Sequence, residues 1–240
     1  MIGTILNAAG ILAGGLTALV RRRPLSPTTE NNGRIILGVF AVYYGLRLTW
    51  LSLNGPFLGI LKQLLILLLA LTLGQLAGRL LRLQRASNRL GRMVRELMDG
   101  ARPTDPGRFG KGFRACTAVF CAAPLGLLGA VQDGLSGYFY PLAVKAVVDG
   151  LATLGFVPMF GRGVLMSALP VLAVQGTISL ACQQFVKPFL EARQLLDSTN
   201  AAGGMLVFAV ALVILGLRKM ALTDYLPSLV FAPLLTCLFR

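Results

Sequence analysis

Three charged residues stand in an apolar part of the sequence, where a charge is costly. Asp133, Lys145 and Asp149 occur in the stretch AVQDGLSGYFYPLAVKAVVDGLATLGF, residues 130–156. At the centre of a membrane helix, each charge costs roughly 2.5–3.5 kcal/mol on insertion scales. Aspartates can coordinate a cation or exchange a proton, and a lysine can set the resting charge of a site. These residues are therefore the first candidates for a functional site.

The same residues also allow purely structural interpretations. Lys145 and Asp149 are four positions apart, so on a helix they lie on one face and can form an ion pair. The order Lys before Asp is the weaker one for helix stability, but a buried pair can still neutralise itself and brace a bundle. Asp133 is followed by glycine, and these are ordinary turn residues that can simply end a helix.

Uncharged polar residues in other apolar segments complete the candidate site. Asn7 and Gln175 are amides within long apolar stretches, and amides in a lipid environment need hydrogen-bond partners. The sequence predicts a polar cavity that binds a small solute or an ion. Its predicted lining consists of Asn7, Gln132, Asp133, Lys145, Asp149, Gln175 and Asn200.

The composition indicates an integral membrane protein. Of the 240 residues, 55% are hydrophobic and 13% charged, outside the usual range of soluble domains. The excess of 23 Lys and Arg over 9 Asp and Glu fits a cytoplasmic membrane face better than nucleic-acid binding. Histidine is missing from the sequence, so we expect no enzyme, no cofactor and no metal site. The four cysteines form no C-x-x-C pair and are interpreted as core residues: Cys116, Cys121, Cys182 and Cys237.

Apolar windows of about 20 residues, the length that crosses a bilayer, recur along the chain. They predict an all-α polytopic fold with seven or eight transmembrane helices. The windows lie near residues 2–20, 35–53, 57–79, 113–131, 138–157, 163–182, 201–217 and 225–239. Glycine and proline follow both Asp133 and Asp149, so we expect broken helices in the centre of the chain, with 138–157 broken or re-entrant.

A basic segment divides the chain into three parts. We expect transmembrane helices in 1–79, a basic amphipathic cytoplasmic helix and loop in 80–108, and further transmembrane helices in 109–240. The arginines of the middle part recur at helical spacing, which suits a helix on an anionic membrane surface. The same charges would equally suit a solvated loop that only fixes orientation. Together with Arg21, Arg22 and Arg23, they place both chain termini outside if eight segments cross.

Two segments indicate an internal repeat. NGRIILGVFAVYYGLRLTWL, from Asn32, and AGGMLVFAVALVILGLRKMAL, from Ala202, share VFAV and GLR in the same order. The VFAV positions, 39 and 207, differ by 168, which also relates Asn7 to Gln175. Spans one and two would then match spans six and seven in opposite directions, as in the inverted repeats of many secondary transporters. Four apolar letters also match easily by chance.

Small residues on the first span predict close helix packing. Gly3, Gly10 and Gly14 lie with Asn7 on one helical face. Such faces let helices approach closely, either within one chain or between the copies of a homo-oligomer.

Four segments of the sequence resemble one protein family. They are GTILNAAGILAGGL, QDGLSG…KAVVDG, ALPVLAVQGTISL and TNAAGGMLVFAVALVILGLRK…LPSLVFAPLL, and they resemble the bacterial inner-membrane proteins grouped as domain of unknown function 554. The most specific part is the QDG, K-x-x-x-DG and QGT series at 132–134, 145–150 and 175–177. The resemblance implies a compact multi-pass fold in the bacterial inner (cell) membrane and implies no biochemical activity.

We therefore expect a membrane transporter or channel for a small polar solute or ion. Asp133 and Asp149 would bind a cation or exchange a proton, and Lys145 would set the resting charge. The amides would supply neutral ligands. The alternative is a non-transporting scaffold that recruits lipid or a protein partner through the basic helix at 80–98. A membrane enzyme comes third, because two aspartates can support acid–base chemistry but no nucleophile or metal set accompanies them. Clustering of the polar residues around one cavity would favour transport, and dispersal would favour the scaffold.

Overall fold

The structure is a computed structural model that describes residues 1–20, 26–99 and 106–239, which form a helical bundle. These residues contain no strand, so the predicted all-α class is confirmed. The helices are α1 (Ile2–Val20), α2 (Pro27–Leu51), α3 (Phe57–Leu80), α4 (Leu83–Asp99), α5 (Arg108–Ala122), α6 (Pro124–Ser136), α7 (Tyr140–Phe160), α8 (Gly163–Met166), α9 (Ala168–Ala181), α10 (Lys187–Ala192), α11 (Leu196–Ile214) and α12 (Ser228–Leu238). A π-helical turn, Cys182–Val186, joins α9 to α10, and a 3-10 turn, Leu222–Tyr225, precedes α12. The predicted basic cluster at 21–23 and most of the predicted loop at 101–107 lie outside the described residues.

Within the described ranges, six helical segments are long and apolar enough to cross a membrane. They are α1, α2, α3, α7, α11 and the continuous stretch Gly163–Ala192. Helices α5 and α6 would form a seventh span, bent by 57°. The predicted eighth span contains only a shorter apolar helix, Leu222–Leu238. The protein is thus a multi-pass membrane protein with six candidate spans in the described residues, or seven if the bent pair is one span, and seven is the lower end of the predicted range.

The broken span is not the one that the sequence predicted. Helix α7 runs without interruption from Tyr140 to Phe160, so the expected break at Asp149-Gly150 is wrong. The helix stays intact because Lys145, one turn earlier, compensates the charge of Asp149. Backbone groups freed by a break in the helix are therefore not needed to stabilise the carboxylate. The break lies at Ala123, which takes an extended conformation before Pro124. The other predicted interruption is confirmed, since α6 ends at Gly137 in the left-handed region.

Local signals explain the bounds of α2. The Ser26 side chain accepts a hydrogen bond from the backbone N–H of Thr29 at 3.2 Å, and Pro27 occupies the first helical position. After the end of α2, Gly55 has a φ of 113°, a conformation that other residues rarely adopt, and Pro56 follows it. This turn reverses the chain so that α3 can start.

Helices α1 and α7 cross with their backbones in contact. A Cβ atom on Gly10 would overlap the carbonyl of Ala146, and one on Gly14 would overlap the carbonyl of Gly150. Later residues of α1 meet later residues of α7, so the two helices run parallel. The predicted glycine face is therefore used for close packing inside the chain.

Helices α2 and α11, which carry the two VFAV sequences, pack in opposite directions. Gly38 faces the Leu215 side chain, whereas Thr49 Oγ1 donates to the carbonyl oxygen of Ala201 at 3.2 Å. Antiparallel directions are what an inverted repeat requires. The superposition of the two helix pairs stays a prediction.

Helix α4 lies against the bundle with one face and exposes the other. Val94 is buried, and Leu97 and Met98 pack against the same apolar cluster. The backbone N–H of Gln84 donates to Asp224 Oδ1 at 2.8 Å, which joins the start of α4 to the turn before α12. Four arginines on the opposite side are exposed: Arg85, Arg89, Arg92 and Arg95. The cytoplasmic location of this helix stays a prediction.

We expect α4 to be accessible only from the cytoplasm. In a variant with all four native cysteines replaced by alanine, a single cysteine at Arg92 should resist an impermeant maleimide added to intact cells. It should react once the cells are opened. A cysteine at Asn54, exposed in the turn between α2 and α3, should react in intact cells, because that turn lies at the opposite end of α3. Labelling of the Arg92 position in intact cells would reverse the predicted topology.

Candidate functional site

An ion pair lies inside the bundle, on the face of α7 that is covered by other helices. Lys145 Nζ bonds to a carboxylate oxygen of Asp149, as their spacing predicted. The two side chains are only 1% and 7% exposed. Lys145 Nζ also lies 5.7 Å from the centroid of the Phe120 ring on α5, within the range of a cation–π contact. Both charges are therefore enclosed by protein and compensate each other.

Two amides from α1 and α9 lie beside this pair. Asn7 Nδ2 donates to Gln175 Oε1 at 3.1 Å, and both residues are buried. The Asn7 side chain also lies beside the Asp149 carboxylate. Asn7 Oδ1 and Gln175 Nε2 have no hydrogen-bond partner, although buried polar groups in proteins usually have one. One acceptor and one donor thus remain available next to the ion pair.

The bend between α5 and α6 brings a glycine against these side chains. A Cβ atom on Gly126 would lie 2.7 Å from Lys145 Cε and 3.0 Å from Gln175 Nε2. Because Gly126 has no side chain, the lysine stem and the amide fit between α6, α7 and α9. A larger residue here would push the lysine away from its present position.

Gln132 and Asn200 form a second polar group, at the contact between α6 and α11, and Asp133 follows Gln132 on α6. The Gln132 amide packs directly on Gly203, where any side chain would overlap it. Asn200 is three residues before Gly203 and so lies on the same face of α11. Both amide atoms of Gln132 and Asn200 Oδ1 lack partners. Asp133 Oδ2 lies 3.1 Å from the amino group of Met1, and its side chain is 1% exposed.

Two hydroxyl groups lie between these polar groups. Thr4 is one turn from Asn7, and Ser179 is one turn from Gln175, while the Ser179 backbone contacts Gly134 next to Asp133. Both hydroxyls are buried and have no hydrogen-bond partner. Thr4 was not among the residues singled out from the sequence. The hydroxyl of a helical threonine commonly bonds to its own helix, as in Thr17, so the sequence gives no signal for a free one.

The structure therefore buries all seven predicted site residues but divides them into two groups. Asn7, Lys145, Asp149 and Gln175 meet around α7. Gln132 and Asn200 lie where α6 contacts α11, and Asp133, next to Gln132 on α6, lies beside the amino end of α1. In the described part of the chain, no three Cys, Asp or Glu residues come together in a way that could hold a metal ion.

Comparison with known proteins gives matches along almost the entire chain. A family model described as "Protein of unknown function (DUF554)" matches residues 2–237. The chain is 25% identical over 233 residues to "Uncharacterized membrane protein YdfK" of Bacillus subtilis (strain 168). The aligned region covers 97% of this chain and 94% of that protein. The identity and both coverages are the same for "Uncharacterized protein YqgA" of Escherichia coli (strain K12). No solved structure matches the chain.

Proposed function

Since the chain belongs to DUF554, a protein family of unknown function, we propose from its own geometry that it is a transporter or channel in the bacterial inner membrane. Its cargo would be a small polar solute or an ion. The observation that carries the proposal is the buried pair of Lys145 and Asp149, beside which the amides of Asn7 and Gln175 each have one polar atom without a partner. Ionisable residues inside membrane helices are rare and typically mark substrate or ion pathways.

The unmet polar atoms favour a binding site over a structural brace. Each buried polar group without a partner costs about 1–3 kcal/mol. Two such atoms, Asn7 Oδ1 and Gln175 Nε2, belong to the amides beside the ion pair, and two more, Thr4 Oγ1 and Ser179 Oγ, lie one helical turn further along α1 and α9. A pair that only braced the bundle would gain nothing from these neighbours. Water or a solute bound among them would supply the missing partners, so we propose that this space is occupied in the working protein.

The arrangement of the two groups along the bundle suits a pathway. Asn200 lies near the start of α11, and Gln132 lies near the end of α6, which are both at the predicted outer side. Asp149 is the tenth residue of the 21-residue α7 and so lies close to its middle. Along the bundle, Ser179 and Thr4 lie between the outer polar group and the ion pair in the middle of α7. A solute moving inward could exchange one set of ligands for the next, as conduction requires.

We propose distinct roles for the charged residues. Asp133 and Asp149 would bind a cation or exchange a proton. Lys145 would neutralise Asp149 while the site is empty and would be displaced when cargo binds. Asn7, Gln132, Gln175 and Asn200 would act as neutral ligands. In this proposal the protein needs neither a cofactor nor an enzymatic activity.

A scaffold role for α4 is the second candidate. Its exposed arginines form a basic surface on a helix that is held to the bundle by Val94 and Gln84. Such a surface suits anionic lipid headgroups or an acidic protein segment. This role would not require the buried polar groups, so variants of α4 and of the core separate the two functions.

Flux through purified protein in liposomes tests the transport proposal. The panel would contain radioactive sodium, rubidium and amino acids, with a trapped pH-sensitive dye for protons. We expect at least one of these to cross faster than in protein-free liposomes. Asn7→Leu should reduce that flux by about tenfold or more, because it removes an amide beside the ion pair.

The matched control is Arg92→Gln on the exposed side of α4, which should keep full flux. If instead no member of the panel crosses, and Arg92→Gln weakens binding to vesicles of anionic lipid, the scaffold is the better explanation.

A further inference from the structure

A separate cavity lies at the predicted outer side of the bundle, between α2, α3, α11 and α12. Its volume is about 130 Å³, and none of the seven predicted site residues lines it. We call it the outer cleft. The polar residues of its wall that matter here are Ser52, Asn54, Gln63, Asp197, Ser198 and Thr236. The hydrophobicity pattern along the chain does not indicate this cavity, because the cavity forms only where the ends of four helices meet.

Three hydroxyl groups in the wall already donate their protons to the backbone. Each bonds to a carbonyl oxygen three or four residues earlier in the chain: Ser52 Oγ at 2.8 Å, Ser198 Oγ at 2.8 Å and Thr236 Oγ1 at 2.9 Å. A hydroxyl has one proton to donate and two lone pairs that accept. Toward a bound group, these three oxygens can therefore act only as acceptors or as cation ligands.

The amide donors of Gln63 and Asn54 are directed at the protein itself. Gln63 Nε2 donates to the carbonyl oxygen of Asn54 at 2.7 Å, and Gln63 Oε1 accepts from the Asn54 backbone N–H at 3.2 Å. Asn54 Nδ2 lies 3.4 Å from Asp197 Oδ2. An ionised Asp197 offers only acceptors, and no lysine or arginine among the described residues forms a salt bridge with it. The wall is thus rich in oxygen acceptors and carries one negative charge.

Helix ends add to this negative character. Both α2 and α12 end at the outer cleft, and the carbonyl end of a helix carries a partial negative charge. Helix α11 begins there with its positive end, which Asp197 in its first turn offsets. In transporters of known mechanism, the C-terminal ends of helices coordinate sodium ions within the protein.

We propose that the outer cleft binds a small monovalent cation such as Na⁺. Its ligands would be the carboxylate of Asp197 and the hydroxyl oxygens of Ser52, Ser198 and Thr236. A water molecule needs about 10–15 Å³ by the same measure, so the cleft can hold the ion with part of its water shell. A single carboxylate neutralises the charge of a monovalent cation but only half the charge of a divalent one, so it favours a monovalent cation. This site goes beyond the proposed transport site, because a cation can bind here whether or not the core conducts a solute.

Thermal unfolding of the purified full chain in detergent tests the proposal. Sodium chloride would replace choline chloride at constant ionic strength, since choline is too large to take the place of Na⁺ among these oxygens. We expect Na⁺ to raise the midpoint Tm by several degrees in a saturable way, because a ligand that binds only the folded state stabilises it. Asp197→Asn should remove this shift, and Ser198→Ala with Thr236→Val should weaken it.

The control is Glu191→Gln, an exposed carboxylate on the neighbouring α10, which should keep the full shift. Equilibrium binding of radioactive sodium gives a second measurement if Asp197→Asn lowers the stability itself. No saturable effect of Na⁺ in the wild-type protein, or an equal effect and equal binding in Asp197→Asn, would overturn the proposal. If the liposomes show flux but the protein binds no sodium, the sodium site is wrong and the transport proposal is unaffected. If the protein binds sodium but no solute crosses, the transport proposal is wrong and the sodium site is unaffected.

Discussion

Replacing Asp149 by asparagine is expected to abolish flux while the protein still inserts and purifies as a single species. Asparagine keeps the shape of the side chain and its position beside Asn7, but removes the negative charge. Lys145 then loses its counter-ion, so a site that depends on the charged pair no longer works. The side-chain carbonyl oxygen of the asparagine can still accept a hydrogen bond from Lys145, which keeps the fold. Lys145→Ala should shift the pH or ion dependence of the flux.

A structural brace would give the opposite pattern. Removing one partner of a buried ion pair then costs about 3–5 kcal/mol of stability, and removing both partners restores most of it. We therefore expect the double variant Lys145→Ala with Asp149→Asn to fold but not to transport. Recovery of both stability and full flux in the double variant would assign the pair to the scaffold of the bundle.

The chain provides a matched control for this experiment. Lys187 and Glu191 have the same order and the same spacing of four residues, with Nζ and Oε1 3.6 Å apart, but their side chains are 37% and 51% exposed. Pairs of this exposed kind contribute about 0–1 kcal/mol. Replacing both by neutral residues should change neither flux nor the unfolding midpoint appreciably. Any loss seen only at the buried pair then reflects its enclosure and its polar neighbours.

Replacing Gly14 by alanine is expected to destabilise the bundle, whereas Gly155→Ala should stabilise it slightly. A Cβ atom on Gly14 would overlap the backbone of Gly150, and neither backbone can move without separating α1 from α7. Overpacking of this kind costs about 1–3 kcal/mol or more. A Cβ atom on Gly155 meets nothing within 4 Å, so only the better helix propensity of alanine remains, worth about 1 kcal/mol.

Thermal unfolding in detergent and the monodisperse yield after size exclusion measure this difference. Both substitutions add one methyl group to a membrane helix, so hydrophobicity cannot explain opposite effects. Flux should also fall in Gly14→Ala, because α1 carries Asn7 to its place beside Asp149. Equal stability of the two variants would mean that α1 and α7 are not in backbone contact.

Features that depend on neighbouring residues could be predicted from the sequence. The apolar helices follow from composition over windows of about 20 residues, and the pairing of Lys145 with Asp149 follows from helical spacing. The position of the bend did not follow. Pro124 stands in an apolar stretch that is long enough to cross the membrane unbroken, so its effect on Ala123 was not anticipated.

Features that depend on distant parts of the chain needed the structure. Nothing near Gln132 in the sequence shows that it packs on Gly203 of α11, and therefore that it lies apart from Lys145. The relation between Asn7 and Gln175 was predicted as a correspondence between repeats, whereas the structure shows a direct hydrogen bond. The outer cleft required the ends of four helices to be placed together.

The location of both charges of the central pair on one helix affects how this protein is made. Transmembrane helices leave the translocon one after another, and each is sorted into lipid by its own apparent free energy of insertion. Lys145 and Asp149 form their bond within α7, so the pair can close as soon as this helix has formed. Helix α7 then enters the bilayer as a neutral unit and does not wait for α9 or α11 to compensate its charges. During biosynthesis, the central helix that carries both charges of the pair thus does not depend on segments that the ribosome has not yet produced.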